Sequence, residues 1–290
     1  MSSPVFQSLW IGQQLGPMER LSIESFLHFG YEFHLFAYGD LDGVPPGVKR
    51  VDAREVLPES DVFYVRRGFG KGSPAFFADR FRYEMLLQRG GWWVDTDVVC
   101  VAPWDFDRQH VVGAQRQPDA SGVNSCGVNN AVIRAPIGSP LMRRCLEIFA
   151  QVDVQTAPWG STGPLLLQQA IDDTGMADIA EPPDVFYPID YWRIEQLFED
   201  ADPPADTVGV HLWNAVWAKR GIDPGAPMPP DCLYEQMRRC FVRGYEPPRL
   251  SEAEADRLAA ELHAANEPRP RSLLGRLRWE LQRYRRRNAA

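Results

Sequence analysis

The chain has 290 residues, 44% of them hydrophobic and 24% charged, with a net charge of −8. That balance describes a globular protein long enough for a real core, as one large domain or two small ones. No apolar run approaches the roughly 18 residues of a membrane-crossing helix, and the acidic body argues against general nucleic-acid binding.

The charge is uneven. From Arg269 onward there are eight arginines and one acid, a +7 segment that leaves −15 on residues 1–268 of a chain whose total is −8. The tail RPRSLLGRLRWELQRYRRR sets Leu273, Leu277, Leu281 and Tyr284 on one helical stripe among arginines. It reads as a basic amphipathic segment for an anionic membrane surface, or as a helix docked on the acidic body. The N-terminus lacks the basic and apolar regions of a signal peptide, so the expected location is the cytoplasm, at most peripheral at the inner membrane face. Five cysteines, with no C-x-x-C spacing, indicate neither a disulfide framework nor a zinc site.

In chain order, VFQSLWIG (5–12) predicts a short buried strand ending in glycine. Met18, Leu21, Ile23, Phe26 and Phe29 predict a helix that Gly30 closes. The aromatic, alternating YEFHLFAYGD (31–40) predicts a second strand. This β-α-β opening favours a sheet covered by helices. Residues 41–73 read as irregular, and RRGFGKGSP lacks phosphate-loop spacing. SPAFFADRFRYEMLLQRGG (73–91) is the clearest helix, with Ser73 to cap it and Phe77, Phe81 and Met85 on its core face. WWVDTDVVCV follows as a strand. NNAVIRAP (129–136) predicts another, then a helix from Ser139 and one over 161–172. DTVGVHLWNAVW (206–217) reads as a short strand running into an aromatic turn, and Pro-rich loops fill 181–188 and 223–230.

The strand WWVDTDVV poses the functional question. If it is continuous, Trp93, Asp95, Asp97 and Val99 share one face, with the carboxylates about 6.6 Å apart, while Val94, Thr96, Val98 and Cys100 face the core. Two close anions need a cation. Either a divalent metal or an ion pair with Arg80 or Arg82 satisfies that need, and D-x-D alone does not choose between them.

The surrounding residues sharpen the choice. FADRFRYEMLLQRGGWWVDTDV resembles the DXD-containing sugar-transferase region. That region is shared by bacterial capsule and lipopolysaccharide glycosyltransferases, the yeast initiating α-1,6-mannosyltransferase, α-1,4-galactosyltransferases and the clostridial glucosylating toxins. The pattern runs Asp79, Arg82, Gly90-Gly91, Trp93, Asp95, Asp97. SLWIG, NNAVIRAP, TGPLLL and HLWN match in character, so the resemblance spans roughly residues 5–217. It implies a GT-A type α/β fold, a mixed central sheet flanked by helices, over residues 1–265, followed by the tail at 266–290. It also implies a metal-dependent, retaining transfer of a hexose from a nucleotide sugar, UDP- or GDP-linked.

Carried over by position, Asp97 would bind Mn²⁺ or Mg²⁺ directly, and Asp95 would be shared between ribose and metal. Asp79 and Arg82 would hold the donor sugar hydroxyls and the pyrophosphate side. Leu9, Trp10, Ile11 and Gly12 would line the base pocket with Trp93, a position more often Tyr in the family. His211 reads as a packed histidine or, in the family context, as the third metal ligand. Asn130, Thr162 and Gly163 are ordinary turn and cap residues or contacts to acceptor or donor sugar. Trp213 and Trp217 belong to the core or to a cover over the donor, and with Asn214 they are candidate contacts to the acceptor or donor sugar. The implied partners are a nucleotide sugar and a saccharide or glycolipid acceptor, with no nucleic acid. A protein-glucosylating effector and a non-catalytic nucleotide-sugar or carbohydrate binder on the same scaffold are the alternatives.

Overall fold

The computed structural model describes residues 4–118 and 124–266. The basic tail from residue 267 on lies outside the described residues. Nine strands and eight helices are described: β1 (Val5–Trp10), α1 (Pro17–His28), β2 (Glu32–Ala37), β3 (Lys49–Asp52), α2 (Ala75–Arg89), β4 (Gly91–Val94), β5 (Val98–Cys100), β6 (Val111–Pro118), β7 (Asn124–Ala135), α3 (Pro140–Phe149), α4 (Pro164–Thr174), β8 (Ala180–Glu181), α5 (Pro183–Phe186), β9 (Gly209–His211), α6 (Asn214–Arg220), α7 (Leu233–Phe241) and α8 (Glu252–Asn266).

Seven strands form one mixed sheet in the order β3-β2-β1-β4-β7-β6-β8. β1 pairs parallel with β2 and β4, and β7 runs antiparallel to both β4 and β6. The mixed central sheet flanked by helices is therefore present. The two tryptophans at its centre show how both faces are filled. Alternation along β4 sends Trp92 into a cluster with Phe6, Phe26 and Trp104, and sends Trp93 into a cluster with Phe77, Phe81 and Ile133 on the opposite face. Phe6 and Trp92 stack at 5.7 Å, and Phe81 meets Trp93 at 6.3 Å.

α2 forms where the sequence predicts it. Ser73 Oγ accepts from the Ala75 N–H at 3.1 Å, and Phe77, Phe81, Tyr83, Met85 and Leu86 are fully buried. The helix stops because Gly90 and Gly91 take φ of +65° and +92°, backbone angles that favour glycine. A Cβ at Gly90 would fall 2.7 Å from the Ile137 nitrogen, and one at Gly91 would fall 2.9 Å from Gln7 Nε2. This tight reversal delivers the chain from α2 straight into the sheet.

Residues 41–73 are not wholly irregular. They contain the edge strand β3, whose Lys49, Arg50 and Asp52 are exposed and leave no apolar alternation to read. β6 is also an addition to the sequence reading. It bulges between Val112 and Gly113, where a Cβ on Gly113 would fall 2.3 Å from the Tyr187 ring. α5 occupies part of the Pro-rich stretch 181–188.

Candidate active site

The strand expected through Asp95 and Asp97 is broken, and the break creates the site. β4 ends at Val94, and the Val98 N–H donates to the Asp95 carbonyl at 3.0 Å, closing a turn. The acids therefore sit on a corner between two sheets, not side by side on one strand face. Both sides of the run are buried, Trp93 and Val99 as well as Val94 and Val98. After the turn, β5 leaves the main sheet and pairs antiparallel with β9, matching Val98 to His211. That register brings residues far apart in sequence together.

His211 Nε2 lies 3.2 Å from Asp97 Oδ1, and the Asn214 N–H donates to Asp97 Oδ2 at 2.9 Å. The Leu212 N–H donates to the Asp97 carbonyl at 2.8 Å. Between them Trp213 takes φ +59°, the one positive-φ residue besides glycine among the described residues. Such a residue costs on the order of 1–3 kcal/mol. Its indole N–H donates to the Ile189 carbonyl at 2.7 Å, and its ring lies 3.9 Å from that of His211. The kink turns the chain from β9 into α6 and aims the Asn214 amide at Asp97.

Asp95, Asp97 and His211 offer donor atoms that all lie within 4.8 Å of one another. Two carboxylates and one imidazole suit a hard or borderline divalent ion such as Mg²⁺ or Mn²⁺. Burial raises the Asp97 carboxyl pKa, but His211 and the Asn214 N–H more than offset it, so the net shift is downward. His211 Nδ1 is buried without a hydrogen-bond partner, the type of orphan that an ion or water commonly explains. The residues fit a divalent metal.

Behind this corner lies a second network. Asp79 accepts from Asn130 Nδ2 and from Thr162 Oγ1, each at 2.7 Å, and its Oδ1 stands 3.2 Å from Arg82 Nη2. Arg82 Nη1 reaches Asp95 Oδ1 at 2.9 Å and donates to the Asn130 carbonyl at 2.5 Å. Its guanidinium lies 4.9 Å from the Trp93 ring, whose N–H donates to Asp95 at 2.7 Å. Burial raises the Asp79 carboxyl pKa, in part countered by Arg82, Thr162 and Asn130. Both polar residues of the α2 motif are thus held by protein partners.

A cleft of about 1500 Å³ opens over the corner. Leu9, Trp10, Ile11, Asp79, Arg82, Trp93, Asp95, Asp97, Asn130, His211, Trp213 and Asn214 line it. Four residues singled out from the sequence do not. Gly12 lies beside the Trp10 indole. Thr162 is buried and reaches the cleft only through Asp79, while Gly163 packs against Asn130, where a Cβ would fall 2.9 Å from the amide. Trp217 is a core side chain, fully buried against Phe198 and Tyr234, and forms no cover over the cleft. The cleft also has walls that sequence reasoning missed: Phe69, Phe76, Gln115, Gln117, Trp159, Leu165, Tyr191, Trp192, Lys219 and Arg220. The glycine-rich RRGFGKGSP was a signal for one wall. The rest come from loops and strand ends without a motif.

Residues 135–241 match the family described as "Alpha 1,4-glycosyltransferase conserved region". The matched stretch includes His211 and the kink at Trp213. Among characterised proteins, the human alpha-1,4-N-acetylglucosaminyltransferase is 28% identical over 153 residues, covering 47% of this chain and 42% of that protein. The chain thus spans less than half the length of this relative. Two solved structures are more distant: the PaToxG glycosyltransferase, at 14% identity and TM-score 0.42 over 91% of this chain and 86% of that one, and the catalytic domain of the alpha-toxin from Clostridium novyi, at 9% identity and TM-score 0.34 over 88% and 76%.

Proposed function

We propose that the chain transfers a hexose from a UDP- or GDP-linked donor to a saccharide or glycolipid acceptor, with a divalent metal and with retention at the anomeric carbon. The observation that carries this reading is the Asp95, Asp97 and His211 cluster, with donor atoms within 4.8 Å, on the wall of a large cleft. Mn²⁺ or Mg²⁺ bound there would supply positive charge to a departing nucleoside diphosphate. Leu9, Trp10 and Ile11 offer an apolar, aromatic edge for the base.

Arg82 keeps Asp95 oriented and paired. Arg82 is already paired with Asp79 and Asp95, whereas the cleft cations Lys219 and Arg220 are in no ion pair among the described residues and are free to meet the diphosphate. Arg220 Nη1 is buried without a hydrogen-bond partner. Asp79 has both carboxylate oxygens engaged, which leaves it poorly placed to attack an anomeric carbon. In the proposed step the acceptor oxygen bonds to the anomeric carbon as the bond to the diphosphate breaks on the same face. The leaving phosphate oxygen takes the acceptor's proton.

Hydrolysis of UDP- and GDP-hexoses in Mn²⁺ tests this. UDP-N-acetylglucosamine belongs in the panel because of the human relative. Hydrolysis of one donor, abolished by EDTA, is expected. No hydrolysis, with tight metal-dependent nucleotide binding, would instead favour a non-catalytic binder.

The +7 tail is proposed to hold the protein at an anionic, cytoplasmic membrane face, which suits a lipid-linked acceptor. No helix among the described residues is long and apolar enough to cross a membrane.

A further inference from the structure

Among the described residues, four large hydrophobic side chains stand out as exposed: Tyr64, Ile137, Trp159 and Leu165. Two of these, Trp159 at 41% and Leu165 at 61%, line the same cleft. Exposed apolar groups cost hydration free energy and gather where something binds.

Trp159 is also held in place. Its ring packs edge-on against Phe69 at 4.9 Å and tilts against Phe76 at 6.0 Å. The glycine-rich loop makes room for it. Gly70 takes φ +76°, and a Cβ there would fall 2.0 Å from the indole. The loop and the indole are therefore built around each other, yet the indole keeps a free surface. A rigid, amphipathic ring presented this way loses little entropy on binding.

Lys219 lies 5.0 Å from the Phe69 ring that packs on Trp159, so one cation borders the aromatic wall. Gln115 and Gln117 line the cleft with Trp159, and side-chain amides both donate and accept. A pyranose ring has the matching chemistry: a C–H face for an aromatic surface and a rim of hydroxyls for amides.

We propose that Trp159 is the platform on which the acceptor's pyranose ring stacks, so that the acceptor is a saccharide. This rests on the transferase reading above. Trp159 is here a specificity-determining residue for the acceptor and takes no part in breaking the donor's glycosidic bond.

The test uses the full chain with Mn²⁺ and whichever nucleotide sugar the parent protein hydrolyses. Methyl β-glycosides of galactose, glucose and N-acetylglucosamine serve as acceptor probes. Initial rates are measured for the parent, Trp159→Phe, Trp159→Leu and Trp159→Ala, each with a cooperative melting transition as the check on folding. Transfer by the parent to at least one glycoside is expected. Its acceptor KM should rise tenfold or more in Trp159→Ala and Trp159→Leu, with most of the loss recovered in Trp159→Phe. A parental acceptor KM in Trp159→Ala, full recovery in Trp159→Leu, or a parent that hydrolyses its donor but transfers to none of the glycosides would each overturn the proposal. A parent that hydrolyses no donor would overturn the transferase reading itself.

Discussion

The Arg82 guanidinium lies 2.9 Å from the Asp95 carboxylate, and that contact ties the α2 motif to the corner that carries Asp95 and Asp97. On its other side Arg82 stands 3.2 Å from Asp79, so one buried cation serves two acids. The D-x-x-R and D-x-D elements are parts of one electrostatic unit.

Removing the cation from this unit should be costly. Breaking a buried pair from one side costs about 3–5 kcal/mol, because the other charge stays buried. Arg82→Met is expected to destabilise by about that much, read from urea unfolding. Adding Asp79→Asn should restore part of the loss, since it removes one stranded carboxylate. If the double variant were less stable than Arg82→Met alone, the pairing would not be the source of the effect.

The Gly90-Gly91 reversal sets where the strand begins. Gly91→Ala places a Cβ 2.9 Å from Gln7 Nε2 at φ +92°. A loss of about 1–3 kcal/mol is expected from the backbone alone. Gln7 Nε2 also donates to the Gly90 carbonyl at 2.7 Å, so the added carbon disturbs that bond as well. An unchanged unfolding midpoint would show that the loop relaxes freely.

Trp217 separates a core role from a cleft role. It is fully buried against Phe198 and Tyr234. Trp217→Ala should cost about 3–5 kcal/mol in stability. Trp217→Phe should be milder and leave the KM for the nucleotide sugar near the parental value. A large rise in donor KM in a stably folded Trp217→Phe would restore the cover role, one of the two readings the sequence left open.

Glu19 gives a pH signature. Burial raises its carboxyl pKa, and Asp97 adds to the shift. A carboxyl raised in the folded state opposes folding once it is charged. That penalty is absent below the ordinary glutamate range and complete above the raised value. Glu19 is the third residue of α1, after Gly16 at the N-cap, where glutamine serves as well as glutamate. Glu19→Gln is therefore expected to melt higher than the parent at pH 7, with the gap closing as the pH falls to 4. A gap that stays constant with pH would remove the titration from the explanation.

The strong local signals were legible in the sequence. α2 shows its stripe, its serine and its closing glycines, and Trp93, Asp95 and Asp97 form a compact motif. The path of the chain between the acids was not legible. WWVDTDVVCV is apolar enough to read as one strand, and only the pairing of β5 with β9 breaks it at Asp95. That pairing is long-range, so no local spacing shows it. β3 was hidden because an exposed edge strand carries no apolar alternation. Trp159 was hidden because its importance comes from Gly70 and Phe69, some ninety residues earlier. The sequence left Trp213 and Trp217 between core and cover because the two, four apart in a seven-residue helix with its preceding kink, look alike in sequence. The kink leaves one at the cleft and buries the other.

The central claim is that Asp95, Asp97 and His211 form a metal site that holds a nucleoside diphosphate. Calorimetric titration of UDP and GDP into the full chain, with Mn²⁺ and with EDTA, tests it most directly when repeated on Asp97→Ala. Binding of one nucleotide with Mn²⁺, at least tenfold weaker in EDTA and equally weak in Asp97→Ala under both conditions, is the predicted result. Nucleotide binding of the same strength in all four conditions would contradict the account.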